Sequence, residues 1–370
     1  MQNKGVNMKC CIYLLMLWAT YIYALPKNIE SLRQMYFKPS SQWQKPFVDE
    51  GVEWQELAPL PKTPPYPDSN PYSKAKQELG KMLFNDPKLS ASNQIACASC
   101  HEKELGFGDG RKVSYGHNRQ SSKRNAPSIV MSAFMKELFW DGRANDLESQ
   151  ALFPIADPKE MAYNPQSAAK KIAKIKIYRQ KFKEAFGSEK ITPELMAQAI
   201  ATYERSTMPN STRFDRFLNG KKDALKDKEI WGLHLFRTKG RCMNCHNGVS
   251  FSDGAYHNLG LHFIGRKYED LGRYEVTHNS DDIGKFKTPS LRGVSKTAPY
   301  MHNGLFPHLI GVLNAYNAGM FHPKPPKNID NQESTEALKS LPFPHTDPLL
   351  QKLNLTSDEI EALEAFLKTL

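Results

Sequence analysis

Two short runs hold the most specific chemistry in this 370-residue chain. Cys97-Ala98-Ser99-Cys100-His101 and Cys242-Met243-Asn244-Cys245-His246 both read C-x-x-C-H, the attachment pattern of a c-type haem. Two thiols on one turn can form thioethers to the vinyl groups. The imidazole that follows, His101 or His246, then becomes the proximal iron ligand. The competing reading is a structural zinc site with four ligands drawn from the same residues. Such a site normally gathers its ligand pairs from closer along the chain, and 145 residues separate the two histidines. Two covalently bound haem c groups are the expectation.

Each motif needs helices to hold it. Ser73 precedes Ala75, Leu79, Met82 and Leu83, a capped helical face just before the first motif. Thr192-Pro193-Glu194 opens a second helix carrying Leu195, Ile200 and Tyr203. The other half repeats the plan. Ile230, Leu233 and Phe236 line a helix before the second motif. Thr356-Ser357-Asp358-Glu359 is a capping box that opens a stripe of Ile360, Leu363, Phe366, Leu367 and Leu370. Strand signals are weak throughout. The predicted fold is mainly α, with two cytochrome c-like haem domains and long loops. The expected organisation is a signal peptide or anchor over 1–24 and a proline-rich leader over 25–72. An N-terminal haem domain over 73–212 and a C-terminal one over 213–370 follow.

Composition adds location and partners. Cys10 to Leu25 is an uncharged, mostly apolar run of 16 residues preceded by Lys4 and Lys9. It reads as a secretory signal, short for a spanning helix, with Ala24 as a candidate cleavage residue and Ile22 an imperfect match. An uncleaved anchor is the alternative. Removal of that segment takes Cys10 and Cys11 with it and leaves four cysteines, all inside the haem motifs. The formal net charge is +11 and the pI about 9.2. That is an ordinary soluble basic surface, or one suited to an acidic protein partner. Nucleic acid is not expected, since the lysines are scattered and no recognition motif is present.

From residue 73 to the end, the chain resembles the bacterial di-haem cytochrome c peroxidase and MauG superfamily. The resemblance rests on ordered blocks: Arg124-Asn125-Ala126-Pro127, Phe139-Trp140-Asp141-Gly142-Arg143, Leu147-Glu148-Ser149-Gln150-Ala151, Phe286-Lys287-Thr288-Pro289-Ser290-Leu291-Arg292 and Thr297-Ala298-Pro299-Tyr300-Met301-His302-Asn303-Gly304. It implies that the N-terminal haem reacts with peroxide and the C-terminal haem passes electrons. Heterolysis of a peroxide needs a group that moves a proton between its oxygens. The resemblance gives that role to Glu160, with Gln150 and Pro154 in the same pocket. Without it, Glu160 would read as a solvated surface carboxylate. Trp140 matches the tryptophan between the haems, and otherwise reads as a core aromatic.

Other positions stay divided. His117 matches a loop histidine that ligates the peroxidatic iron in resting peroxidases and is lacking in MauG-type enzymes; it also reads as a plain loop histidine. For the sixth ligand of the second haem, the motif position falls on Tyr316, as in MauG-type proteins, with Met320 one helical turn further on and Met301 beside His302. Tyrosinate would lower the potential, whereas a thioether would raise it. The resemblance further implies a calcium ion held by the Asn125 side chain and the carbonyls of Thr297 and Pro299. Arg292 and His302 are implied propionate contacts.

The leading functional expectation is a periplasmic peroxidase reducing hydrogen peroxide with electrons from a small cytochrome or similar carrier. A homodimer is one assembly the resemblance suggests. The second expectation is a MauG-like oxidase acting on tyrosine or tryptophan of a partner protein. Tyr316 favours it; Gly240, at the place of that type's surface tryptophan, does not. A non-catalytic di-haem carrier is the third, and Glu160 with Gln150 argues against it.

Overall fold

The computed structural model describes residues 25–209, 211–326 and 341–370. The segment read as a secretory signal or anchor, with Cys10, Cys11 and Ala24, lies outside the described residues. The chain is mainly helical, as expected. Its one described sheet is a two-residue antiparallel pair, β1 (Tyr256–His257) and β2 (Phe286–Lys287). No described helix is long and apolar enough to cross a membrane.

The helices that flank the first motif form as their caps dictate. α1 (Ile29–Tyr36) lies in the leader, and α2 (Lys74–Phe84) begins where Ser73 Oγ accepts the Lys76 N–H at 3.1 Å. α3 (Leu147–Ala156), α4 (Pro165–Ala173) and α5 (Lys176–Phe186) follow. α6 (Pro193–Ser206) starts at Thr192, with proline at its first position. α2 packs along α6, and Leu79, Leu83, Phe84, Met196 and Ile200 are buried between them and their neighbours.

A second helix pair repeats the device. α7 (Arg213–Leu218) precedes α8 (Asp227–Arg237), which packs along the C-terminal helix, Ser357–Leu367. The capping box closes as read: Thr356 N–H donates to Glu359 at 2.8 Å, and Glu359 N–H to Thr356 Oγ1 at 3.3 Å. All five stripe residues of that end are buried. Both pairs depend on a glycine at the crossing. A Cβ on Gly80 would collide with the Ala199 carbonyl, and one on Gly232 with the Ala362 carbonyl.

The leader is tied to the second half. Leu32, Tyr36, Trp43 and Leu57 are buried in one core with Phe214, Phe236, Phe251 and Phe366. Its extended stretch crosses the second haem motif. Asp49 N–H donates to Asn244 Oδ1 at 2.9 Å and Gln55 N–H to Asn247 Oδ1 at 3.1 Å, while Arg241 pairs with Asp49 at 2.5 Å.

An ion cluster joins three loops between the halves. Arg124 donates to both oxygens of Asp270, each at 2.7 Å, and to Asp141 at 2.5 Å. Arg143 also reaches Asp141, at 3.0 Å. Burial raises the Asp270 carboxyl, but Arg124 outweighs it and holds the group down at about 2. The side chains of Arg124, Asp141 and Asp270 are nearly inaccessible. Arg124→Ala removes the bidentate partner of buried Asp270 and one of the two arginines on Asp141, so it should cost about 3 kcal/mol of stability, read as a lowered midpoint in denaturant. The contribution of the Arg124–Asp270 pair is complete above the unfolded carboxylate pKa of ~3.9 and should disappear as the pH falls toward about 2.

Candidate active site

Residues from both halves enclose one cavity of about 740 Å³. Cys100 and His101 line one end, and Cys242, Cys245 and His246 the other. In each motif a backbone carbonyl orients the imidazole. His101 Nδ1 lies 3.0 Å from the Phe107 carbonyl, and His246 Nδ1 lies 2.9 Å from that of Phe251. A carbonyl only accepts, so Nδ1 carries the proton and the Nε2 lone pair is left for a metal. Burial holds both imidazoles below their ordinary pKa, which favours the neutral, ligating form.

The thiols suit thioether formation better than a zinc cluster. Cys97 is half-buried and is not among the residues lining the cavity, and its thiol is pushed up by burial and then by Glu204. Burial also raises Cys100 to about 11 and Cys242 to about 12. Zinc needs thiolates gathered at one point. Among the described residues, the one group of three with metal-binding spacing is Cys245, Asp253 and His257, which contains neither motif histidine. Each end of the cavity can instead hold one haem, attached through its two cysteines.

At the first end, Glu160, Gln150 and Pro154 line the cavity together. Asp146 caps α3 by accepting the Ser149 N–H at 2.7 Å. Arg205 grips Glu148 of its first turn with two bonds of 2.6 and 2.7 Å, locking α3 to α6. Pro154 lacks an N–H, so the Gln150 carbonyl loses its helical donor. Glu160 follows α3, and its carboxyl pKa is raised by burial, then by Asp157. His117 sits behind it. The His117 N–H donates to the Glu160 carbonyl at 2.7 Å, but the ring does not line the cavity and its buried Nδ1 has no partner among the described residues.

Between the ends stands Trp140. Its indole N–H donates to the Asn125 carbonyl at 2.9 Å, and its ring meets that of His302 edge-on, centroids 6.4 Å apart. His302 in turn stacks on Phe286 at 3.5 Å, and its buried Nε2 has no partner among the described residues. The Asn125 amide nitrogen donates to the Arg111 carbonyl at 2.8 Å, which leaves Oδ1 for a cation. Thr297 and Pro299 line the same cavity.

At the second end, Tyr316 projects from α9 (Leu309–Asn317) into the cavity, and its hydroxyl pKa is raised by burial and by the Cys245 and Cys242 thiols nearby. Met301 also lines the cavity; Met320 is buried elsewhere, its N–H bonded to Ala315. Arg292 reaches the cavity but commits three N–H groups to Val249, Asp215 and Ala58, at 3.0, 2.7 and 2.8 Å.

Two features escaped the sequence reading. Glu204 is buried at the first end, its Oε2 without a partner among the described residues, and burial raises its carboxyl to about 8. Its spacing from Met196 and Ile200, on the buried stripe of α6, was the available signal. His257 lies between Asp347, at 2.6 Å, and Asp253, at 2.9 Å, beside Cys245. Burial lowers it, but those carboxylates prevail and raise it to about 12. Nothing local in the sequence joins Asp347 to His257.

These features coincide with those of known proteins. Residues 74–223 match the family described as di-haem cytochrome c peroxidase. The chain is 41% identical to cytochrome c551 peroxidase of Nitrosomonas europaea, over 61% of this chain and 68% of that protein. It is 36% identical to methylamine utilization protein MauG of Methylophilus methylotrophus, over 70% of this chain and 77% of that protein. The crystal structure of a MauG-like protein associated with microbial copper homeostasis superposes with a TM-score of 0.73 at 33% identity, covering 84% of this chain and 94% of the other. With two C-x-x-C-H imidazoles facing one cavity and relatives that match it over most of their length, the chain belongs to the di-haem cytochrome c peroxidase family.

Proposed function

We propose that this protein is a periplasmic peroxidase that reduces hydrogen peroxide to two waters, taking two electrons from a small cytochrome or similar carrier and two protons from solvent. In this reading, 73–212 is the peroxidatic haem domain and 213–370 the electron-transferring one. The observation that carries the proposal is Glu160, a carboxyl with a raised pKa in the same cavity wall as Gln150, Pro154 and His101. A pure electron carrier has no use for it.

Bound at His101, a haem would supply the iron on which peroxide is held and reduced. The protein's own residues manage the proton. Glu160 as carboxylate takes it from the oxygen nearer the iron and returns it to the departing oxygen, so that water leaves rather than hydroxide. The Gln150 amide, fixed by the capped start of α3, can orient the peroxide for that transfer. The half-buried Trp140 offers a π-system between the two ends. Asn125, Thr297 and Pro299 would hold a calcium ion beside it. The placement of His117 against the Glu160 backbone supports a loop whose movement would be felt at the acid–base group.

A second reading has a specific support. Tyr316 lines the same cavity as Cys242 and Cys245, near enough for their thiols to raise its pKa, and a tyrosinate ligand would favour high oxidation states. That suits a MauG-like oxidase that withdraws electrons from a partner protein.

Steady-state consumption of peroxide with a reduced small cytochrome tests the first reading, and failure to couple the two oxidations would refute it. Glu160→Gln should slow peroxide cleavage by about 10²-fold or more with haem content unchanged. The acid limb of the pH–rate profile should lie above the ordinary glutamate value of ~4.3, because the carboxylate form must be present to accept the proton. Tyr316→Phe should change the spectrum of the second haem, while Met301→Leu and Met320→Leu leave it as it was. Loss of low-spin coordination in a methionine variant alone would instead assign that ligand to methionine.

A further inference from the structure

One β pairing and one backbone hydrogen bond from Trp140 lies a second oxidisable ring. Tyr256 of β1 is in register with Lys287 of β2, whose N–H donates to the Trp140 carbonyl at 2.8 Å. Gly142, two residues beyond Trp140, packs so closely on Tyr256 that a Cβ there would collide with the phenolic oxygen. The Tyr256 hydroxyl donates to Glu137 Oε2 at 2.6 Å. Arg273 closes the cluster. Its guanidinium carbon lies 4.4 Å from the centre of the Tyr256 ring, and it donates to Tyr256 at 3.3 Å, to Glu137 at 3.0 Å and to the Asp141 and Gly142 carbonyls at 2.9 and 3.0 Å. The side chains of Arg273 and Glu137 are 17% and 29% exposed, so the cluster extends from the neighbourhood of Trp140 to solvent.

This arrangement answers a problem in oxidation chemistry. A phenol that loses an electron while keeping its proton becomes a cation, and the guanidinium over the ring makes that cation costly. Ionising the phenol beforehand is also disfavoured, since its pKa is raised by burial and then by the hydrogen bond to Glu137, effects that outweigh Arg273. The remaining route moves both charges together, electron one way and proton the other. It requires a carboxylate at hydrogen-bond distance, and Glu137 is there.

We propose that Tyr256, with Glu137 as its proton acceptor, is a redox-active tyrosine that carries an oxidising equivalent from the Trp140 region to the protein surface. The step rests on the peroxidase reading, which supplies the oxidant. Peroxide withdraws two electrons from the enzyme. Tyr256 refills one of them through Trp140, its O–H bond breaks, and the proton passes to the Glu137 carboxylate. The products are a neutral tyrosyl radical and a neutral carboxylic acid. A one-electron donor at the surface then restores the phenol, and Glu137 returns the proton.

The test mixes holoenzyme with one equivalent of hydrogen peroxide in the absence of any donor, freezes the sample within milliseconds, and reads electron paramagnetic resonance beside haem absorbance. Wild type should show a tyrosyl radical. Tyr256→Phe should lose it, and so should Glu137→Gln, which keeps a hydrogen-bond acceptor but no proton acceptor. Resting haem spectra should be the same in all three, which a merely structural cluster would also give; the radical is what such a cluster would not produce. Haems oxidised by peroxide with no radical in wild type, or with equal radical in Tyr256→Phe, would overturn the inference and leave the peroxidase reading standing. Haem absorbance that peroxide does not move in wild type would overturn both.

Discussion

The bidentate bond of Arg124 to Asp270, with Asp141 on its other side, is the constraint on which the site depends. Asp141 follows Trp140 and Asn125 follows Arg124, so one guanidinium sets the two segments that position the indole. Asn125 bonds to the backbone of His302, which stacks on Phe286. The middle of the cavity is thus built from long loops, and loops carry little packing of their own. A buried, doubly compensated arginine gives them a fixed geometry. It does so at the cost of desolvating three charges, which pays only while every partner is present.

Outside that centre, the two halves use one solution. In each, a helix before the haem motif crosses a closing helix at a glycine, Gly80 or Gly232, and the close approach holds the motif against the pair. In each, a carbonyl five or six residues after the histidine fixes the imidazole tautomer. The halves differ where their proposed tasks differ. The first end has ionisable carboxyls with raised pKa, Glu160 and Glu204, suited to handling protons. The second has Tyr316, and it is strapped by the leader through the backbone N–H groups of Asp49 and Gln55.

What the sequence disclosed, and what it did not, follows from the range of the interactions. Helices were legible at Ser73, Thr192 and Thr356 because caps and apolar stripes are local. The haem motifs were legible because five consecutive residues carry the chemistry. Ion clusters were not: Arg124 and Asp270 are 146 residues apart, and His257 and Asp347 are 90 apart. No periodicity announces such pairs. Asp49 was hidden for the same reason, in a leader that reads as proline-rich connector and yet buries Trp43 and Leu57 in the second core. Glu204 is a different case, since a carboxylate on a buried helical stripe is a local anomaly.

The mixture of features along the chain becomes coherent if the placement of oxidising power, rather than its generation, is what varies. Glu160 and Gln150, in the peroxide-cleaving roles proposed for them, suit either functional reading. As the proposed ligand, Tyr316 would decide how far charge can be withdrawn from the second end, because an anionic ligand stabilises the oxidised state that a thioether resists. A site able to accumulate oxidising equivalents needs somewhere to discharge them, or its own side chains become the reductant. In this chain Gly240 offers no ring for that purpose, whereas Tyr256 offers one with a proton acceptor already in contact and an opening to solvent. The second-haem ligand and the Tyr256–Glu137 pair are therefore linked choices: the stronger the oxidant that Tyr316 permits, the greater the need for a proton-coupled exit near Trp140.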